Sequence, residues 1–204
     1  MKTNVERSIE TPFRIDRVPS PLGALLVVFD DAGRLRALDF ADHEPRLRRL
    51  LHAQYRGRRD ALVPGRAPKP VRDAIAAYFA GRPDAFDAIE TASGGTPFQR
   101  RVWSALRRIP FGETTSYGAL AKRIGRPTAS RAVGLANGAN PIGIAVPCHR
   151  VVGAGGALTG YAGGLARKCW LLDHERQCQL GVRPRVSTSA AKRPAGAPEQ
   201  GELR

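Results

Sequence analysis

The chain has 204 residues, 33 Lys and Arg against 18 Asp and Glu, a formal net charge of +15 and 42% hydrophobic residues. That length supports one large or two small domains with real cores, and the charge favours a polyanionic partner, nucleic acid ahead of an anionic membrane surface. No apolar run approaches the roughly 20 residues of a membrane span, and Met1 to Glu10 lacks a signal peptide's apolar core, so a cytoplasmic protein with no membrane partner is expected.

Leu22 to Phe29 is apolar and β-prone, Asp30-Asp31-Ala32-Gly33 reads as a turn, and Leu35 to Phe40 alternates after it, which predicts a β-hairpin. Residues 44–59 are Arg-rich and predicted helical, and Pro64 to Pro70 is predicted loop. Val71 to Ala80 carries Val71, Ile75, Tyr78 and Phe79 at helical spacing, with Gly81 as the stop. Pro83 to Gly95 reads as a linker with one short strand around Phe86 to Ile89.

The second half has stronger punctuation. Thr96-Pro97-Phe98-Gln99 has a capping Thr, Pro at the first helical position and Gln where a capping box needs it. Val102, Ala105, Leu106 and Ile109 then form an apolar face, and Pro110 ends it. Ser116 caps a second helix with Leu120, Ala121 and Ile124 inside and Gly125 as the stop. A third helix follows the turn at Gly125-Arg126-Pro127-Thr128, with Ala129, Ala132, Val133 and Ala136 on its inner face and Gly138 at its end. Two short helices across a tight turn predict a helix-turn-helix. The expected fold is an α/β N-terminal domain, a small β-sheet with helix, over 1–92, and a mainly α C-terminal domain with a winged-helix-like helix-turn-helix over 93–180. Residues 181–204, rich in Pro, Ala and Arg, are expected to form a disordered basic tail.

Residues 96–135 hold eight basic side chains, Arg100, Arg101, Arg107, Arg108, Lys122, Arg123, Arg126 and Arg131, against one acid, Glu113. Charge concentrated on this motif favours DNA over an ordinary solvated face. The third helix is otherwise small-sided, which allows close approach to a groove. Arg131 lies off its apolar face, placed either to occupy the space of an extruded base or to contact phosphate.

The cysteines are Cys148, Cys169 and Cys178, an odd number that argues for reduced thiols. No Cys-x-x-Cys or His-x-x-x-His pair occurs, so no metal and no cofactor are expected. Cys148 precedes His149 directly and follows Pro147 in an apolar run. A thiol needs a neighbouring base or cation to attack. His149 can supply the base, with Glu175, on a helix from Leu165 to Glu175, orienting it. Cys169 and Cys178 read as inert. By residue type alone, a DNA-modifying nucleophile, a lesion-recognition protein, a helix-turn-helix regulator and a Cys/His hydrolase all remain open.

Pro147-Cys148-His149-Arg150-Val151 resembles the signature of the O6-alkylguanine-DNA alkyltransferases, the methylated-DNA–protein-cysteine methyltransferases. Thr96-Pro97-Phe98-Gln99, Val102-Trp103, Ile109-Pro110-x-Gly112-Glu113-Thr114-x-Ser116-Tyr117-Gly118, Arg131-Ala132-Val133-Gly134, Ala136-Asn137-Gly138-x-Asn140-Pro141 and Gly160-Tyr161-x-Gly163-Gly164 agree with it in order. The likeness runs from about Thr96 to Glu175. It implies direct reversal of O6-alkylguanine, and of O4-alkylthymine, in double-stranded DNA by a monomer that reacts once. It implies Cys148 as alkyl acceptor, His149 acting through water with Glu175 behind it, and Asn140 ending the recognition helix and bracing the active-site turn. Tyr117 would donate to the flipped guanine, Arg131 would hold the vacated place in the duplex, and Tyr161 would line the pocket. Gly118 and Arg126 would join the DNA-binding set. The chain departs from zinc-bearing members in having no Cys before Cys148, and Ala162 stands where some relatives carry Ser, which loosens contact with the lesion.

Overall fold

A computed structural model describes residues 12–55 and 62–182. The expected tail beyond 182 and residues 56–59 of the expected first helix lie outside them.

The N-terminal half is a four-stranded sheet in the order β3-β2-β1-β4, with β1 Arg14–Val18, β2 Leu25–Phe29, β3 Leu35–Phe40 and β4 Val63–Pro64. β1 and β3 flank β2 antiparallel, and β4 runs parallel to β1. The hairpin stands where the sequence predicted it, although β2 starts at Leu25 because Leu22 and Gly23 belong to the preceding turn. All five β2 residues are buried, which explains the unbroken apolar run. Alternation along the strand divides them between two layers. Leu26 and Val28 pack with Leu47 and Leu51 of helix α1, Glu44–Gln54. Leu25, Val27 and Phe29 face the main core, which continues into the C-terminal half.

Helix α2, Lys69–Phe79, begins two residues before the predicted start. Pro70 fits its first turn, where the missing N–H costs no intrahelical bond, so the loop expected through Pro70 is shorter. The short strand expected around Phe86 to Ile89 is absent; those residues form turns. Phe86 and Ile89 are buried as turn anchors. The extended pairing in this linker comes later, where Leu35 donates to Glu90 O and accepts from Ala92 N. The outer edge of β3 is therefore covered in two places. Leu38 donates to Pro141 O, and Gly143 N donates to Leu38 O at 2.7 Å. Backbone bonds on an otherwise open edge hold residues 141–143 against the sheet.

Helix α3, Pro97–Leu106, has the predicted capping box between Thr96 and Gln99. The pair β5, Thr115–Ser116, and β6, Val151–Val152, is parallel. Helix α4, Tyr117–Arg123, is capped by Ser116, and α5, Ser130–Gly138, follows the turn at Gly125, whose φ of 69° only glycine adopts freely. Together α4 and α5 make the helix-turn-helix. The buried face of α5 is Val133, Ala136 and Asn137; Ala132 points outward, against expectation. Small residues mark a helix face poorly, and the buried amide of Asn137 replaces it. Helix α6, Leu165–Gln179, extends four residues past the expected end at Glu175. No helix among the described residues is long and apolar enough to cross a membrane.

Candidate active site

The site is built around Cys148. The 3-10 turn Cys148–Arg150 carries Cys148, His149 and Arg150, all buried, and leads into β6. The segment before it contains Ile144 at φ 66°, a β-branched residue in the left-handed region. Such a conformation costs on the order of 1–3 kcal/mol and persists only where surrounding contacts fix it. Here the bonds to Leu38 on one side and Val146 N to Ile142 O on the other do so. Asn140 lies two residues past the end of α5. Its Nδ2 donates to Val146 O at 2.8 Å, and its Oδ1 accepts from Ile142 N at 3.0 Å. It therefore ties the helix exit to the turn that carries Cys148. Asn137 adds a longer donation, 3.4 Å, to Cys148 O.

Sequence reading passed over Arg46, on α1. It pairs with Asp39 and donates to Gly138 O at 2.7 Å and Asn140 O at 3.2 Å. A cation satisfying the last carbonyls of a helix complements its dipole, so the N-terminal half fixes where α5 ends.

Glu175 is fully buried and is the hub of the site. Its Oε1 accepts from Tyr78 Oη at 2.7 Å, His149 Nε2 at 2.8 Å and Arg150 Nη2 at 3.0 Å. Its Oε2 accepts from Arg150 Nε and Gly112 N, both at 2.9 Å. Burial would raise this carboxyl, but His149 and Arg150 hold it well below the usual carboxylate range. With Glu175 ionised, His149 carries its proton on Nε2 and its lone pair on Nδ1. Nδ1 is buried without a hydrogen-bond partner among the described residues. Burial lowers His149 against the upward pull of Glu175, with the charges of Arg150 and Lys168 adding to the fall, so the ring is neutral at pH 7.

Cys148 is a buried thiol. Burial pushes it above its ordinary range, against Asn140 and the charges of Arg46 and Lys168, with Asp39 adding to the rise. The resting group is thus the thiol, and reaction requires that its proton be taken. Lys168, also unassigned by sequence reading, is wholly buried and donates to Val151 O at 2.6 Å and Thr159 O at 2.7 Å. It joins β6 to the loop leading to Tyr161.

A cavity of about 340 Å³ opens on Cys148. Tyr117 forms one wall, Gly134, Asn137 and Gly138 of α5 another, and Gly160, Tyr161 and Ala162 the third. The structure therefore brings Cys148, Tyr117 and Tyr161 together around one space, with His149, Glu175 and Asn140 behind it. Arg126 and Arg131 stay on the surface, in the turn before α5 and in its first turn, and Gly118 is half-buried on α4. Such a site can take a proton from a buried thiol and hold a flat, partly polar group against the sulfur.

Comparison with known proteins gives a consistent answer. Residues 97–177 match the profile of the 6-O-methylguanine DNA methyltransferase DNA binding domain. Residues 16–92 match that of the 6-O-methylguanine DNA methyltransferase ribonuclease-like domain. The methylated-DNA–protein-cysteine methyltransferase of Salmonella typhimurium is 53% identical over 160 residues, 78% of this chain and 94% of that protein. The fold is similar to the Mycobacterium tuberculosis OGT solved in complex with DNA, with a TM-score of 0.67 and 40% identity over 82% of this chain and 94% of that one. It is also similar to the O6-methylguanine-DNA methyltransferase of Pyrococcus kodakaraensis, with a TM-score of 0.63 and 27% identity over 80% and 98%.

Proposed function

This chain belongs to the 6-O-methylguanine DNA methyltransferase family, and we propose which of its residues carry out the family's reaction. The protein repairs DNA by direct reversal, moving the alkyl group of O6-alkylguanine to a cysteine of its own chain. That cysteine is Cys148 in this reading, and the observation that carries it is the cavity that opens on its sulfur with a neutral His149 and an ionised Glu175 behind.

The thiol proton passes, through water, to His149 Nδ1. The imidazolium so formed is held by Glu175 at 2.8 Å. The sulfur attacks the alkyl carbon in line. A carbon–sulfur bond forms as the bond to O6 breaks, and the electron pair leaves with guanine. Tyr117, on the cavity wall, donates a hydrogen bond to the ring as charge develops there. The proton lost from sulfur is balanced by the one that neutral guanine regains. The thioether has no route back, so each molecule acts once.

The guanine reaches this cavity by leaving the duplex, which costs least for a damaged base. Arg131 fills its place, Arg126 and Gly118 contact the strand, Tyr161 closes the pocket, and Asn140 keeps the turn in register with α5. The partner is double-stranded DNA carrying O6-alkylguanine, bound by a monomer in the cytoplasm. Residues 1–92 and 93–180 are the proposed domains. Cys148→Ala tests the assignment: the variant is expected to bind an O6-methylguanine duplex as wild type does and to transfer nothing. Residual transfer to another residue would refute it.

A further inference from the structure

By sequence, Tyr78 reads as one apolar position of α2. In the structure its ring is fully buried among Phe79, Phe86 and Phe111, at centroid distances of 5.3, 5.8 and 5.9 Å. Its hydroxyl donates to Glu175 Oε1 at 2.7 Å, and its carbonyl oxygen lies 2.9 Å from His174 Nε2. Both ends of the residue are thus fixed to α6. The oxygen it reaches is the one that binds His149. Burial and the neighbouring carboxylate keep its phenol protonated at any working pH, so it is always a donor.

We propose that Tyr78 is a positioning residue of the relay, supplied by the N-terminal half, which sets the basicity of His149 through the shared oxygen Glu175 Oε1. This rests on the reading of Cys148 and His149 given above. Three donors divide the charge of Oε1. When the Tyr78 hydroxyl is removed, that charge falls on His149 and Arg150 alone. The imidazolium is then held more strongly, and His149 takes its proton at a higher pH. The other groups facing this pair stay in place. They are Arg150 and Lys168 around the imidazole, Tyr161 at its edge, and Cys178 and His174 on α6 beside Glu175.

The test is the rate of alkyl transfer from an O6-methylguanine duplex to Cys148 across pH 5.5–9, for the wild type, Tyr78→Phe and Phe86→Leu. Tyr78→Phe keeps the ring and loses only the hydroxyl. Its expected profile is displaced to higher pH, about threefold slower than wild type at pH 6 and with the deficit closing or reversing as pH rises. Phe86→Leu loosens the ring packing but keeps the donor; its expected profile holds its position on the pH axis. A Tyr78→Phe deficit of the same ratio at every pH, or no deficit, overturns the proposal. If the wild type carries no alkyl group on Cys148, the reading beneath it fails instead, a result the wild-type sample reports by itself.

Discussion

Glu175→Gln removes one charge and almost no volume, yet the geometry makes it a severe change. The carboxylate accepts five hydrogen bonds from four residues. A Gln amide turns one acceptor end into a donor. If the amide nitrogen replaces Oε2, it confronts Arg150 Nε–H and Gly112 N–H. If it replaces Oε1, it confronts Arg150 Nη2–H and forces Tyr78 and His149 to reverse their roles. In either orientation Arg150, buried under Phe111 at 5.6 Å, loses its counter-charge. An uncompensated buried charge costs about 3–5 kcal/mol, which in a domain of this size lowers Tm by roughly 10 °C. The sign with pH follows from the depressed carboxyl. The stabilisation is fully present above the unfolded carboxyl's pKa, about 4.3, and is lost as pH falls through the folded value below it. Urea unfolding of both proteins from pH 7 down to pH 3 measures this. The gap between them is expected to be full at neutral pH and to narrow below about pH 4. A Tm within 2 °C of wild type, with no narrowing in acid, would show that Arg150 is neutralised elsewhere and that Glu175 is not the hub.

Arg131→Ala is expected to slow repair of duplex DNA while leaving transfer from the free base unchanged, and to reduce the slope of log affinity against log salt by about 0.9 if it also meets a phosphate; equal repair of duplex DNA would remove its role in extrusion. At Gly163, an added Cβ would lie 2.7 Å from Tyr161 Cε1 and 2.8 Å from Phe40 Cε2. Gly163→Ala is therefore expected to displace Tyr161 from the cavity wall and slow transfer at least tenfold on the scale of a misplaced reactive group, a result checked by single-turnover rates. Lys168→Met leaves Val151 O and Thr159 O without their buried donor. It is expected to cost about 1–3 kcal/mol in urea unfolding and to raise hydrogen exchange in residues 157–161; unchanged exchange would mean that the loop is held without it.

Local signals made much of this fold legible. The Thr96 to Gln99 capping box, the Ser116 cap and the glycine stops at Gly81 and Gly125 are decided within a few residues, and each element stands where they put it. β1 was missed because Arg14-Ile15-Asp16-Arg17 has no apolar alternation; pairing with β2 decides it. β4 is two residues, one of them Pro64 at a sheet edge, too short to leave a pattern. In the site, the Cys148–His149 dipeptide announced itself, whereas the buried charges did not. Arg150 lies inside the signature and Lys168 in an unremarkable stretch of α6, and the burial of each is set by partners on other segments of the chain. One usable signal existed. Leu171 marks the inner face of α6, and Lys168, three residues before it, and Glu175, four after it, share that face. Tyr78 and Arg46 were beyond reach, since the partners that matter lie 97 and 92 residues away.

In the proposed reaction one sulfur takes the alkyl group, once. Intact-protein and peptide mass spectrometry after incubation with excess O6-methylguanine duplex measures it directly. A single added methyl per chain is expected, confined to the peptide containing Cys148, with no further gain on longer incubation. A methyl on Cys169, Cys178 or no residue at all, with lesion binding intact, would contradict it.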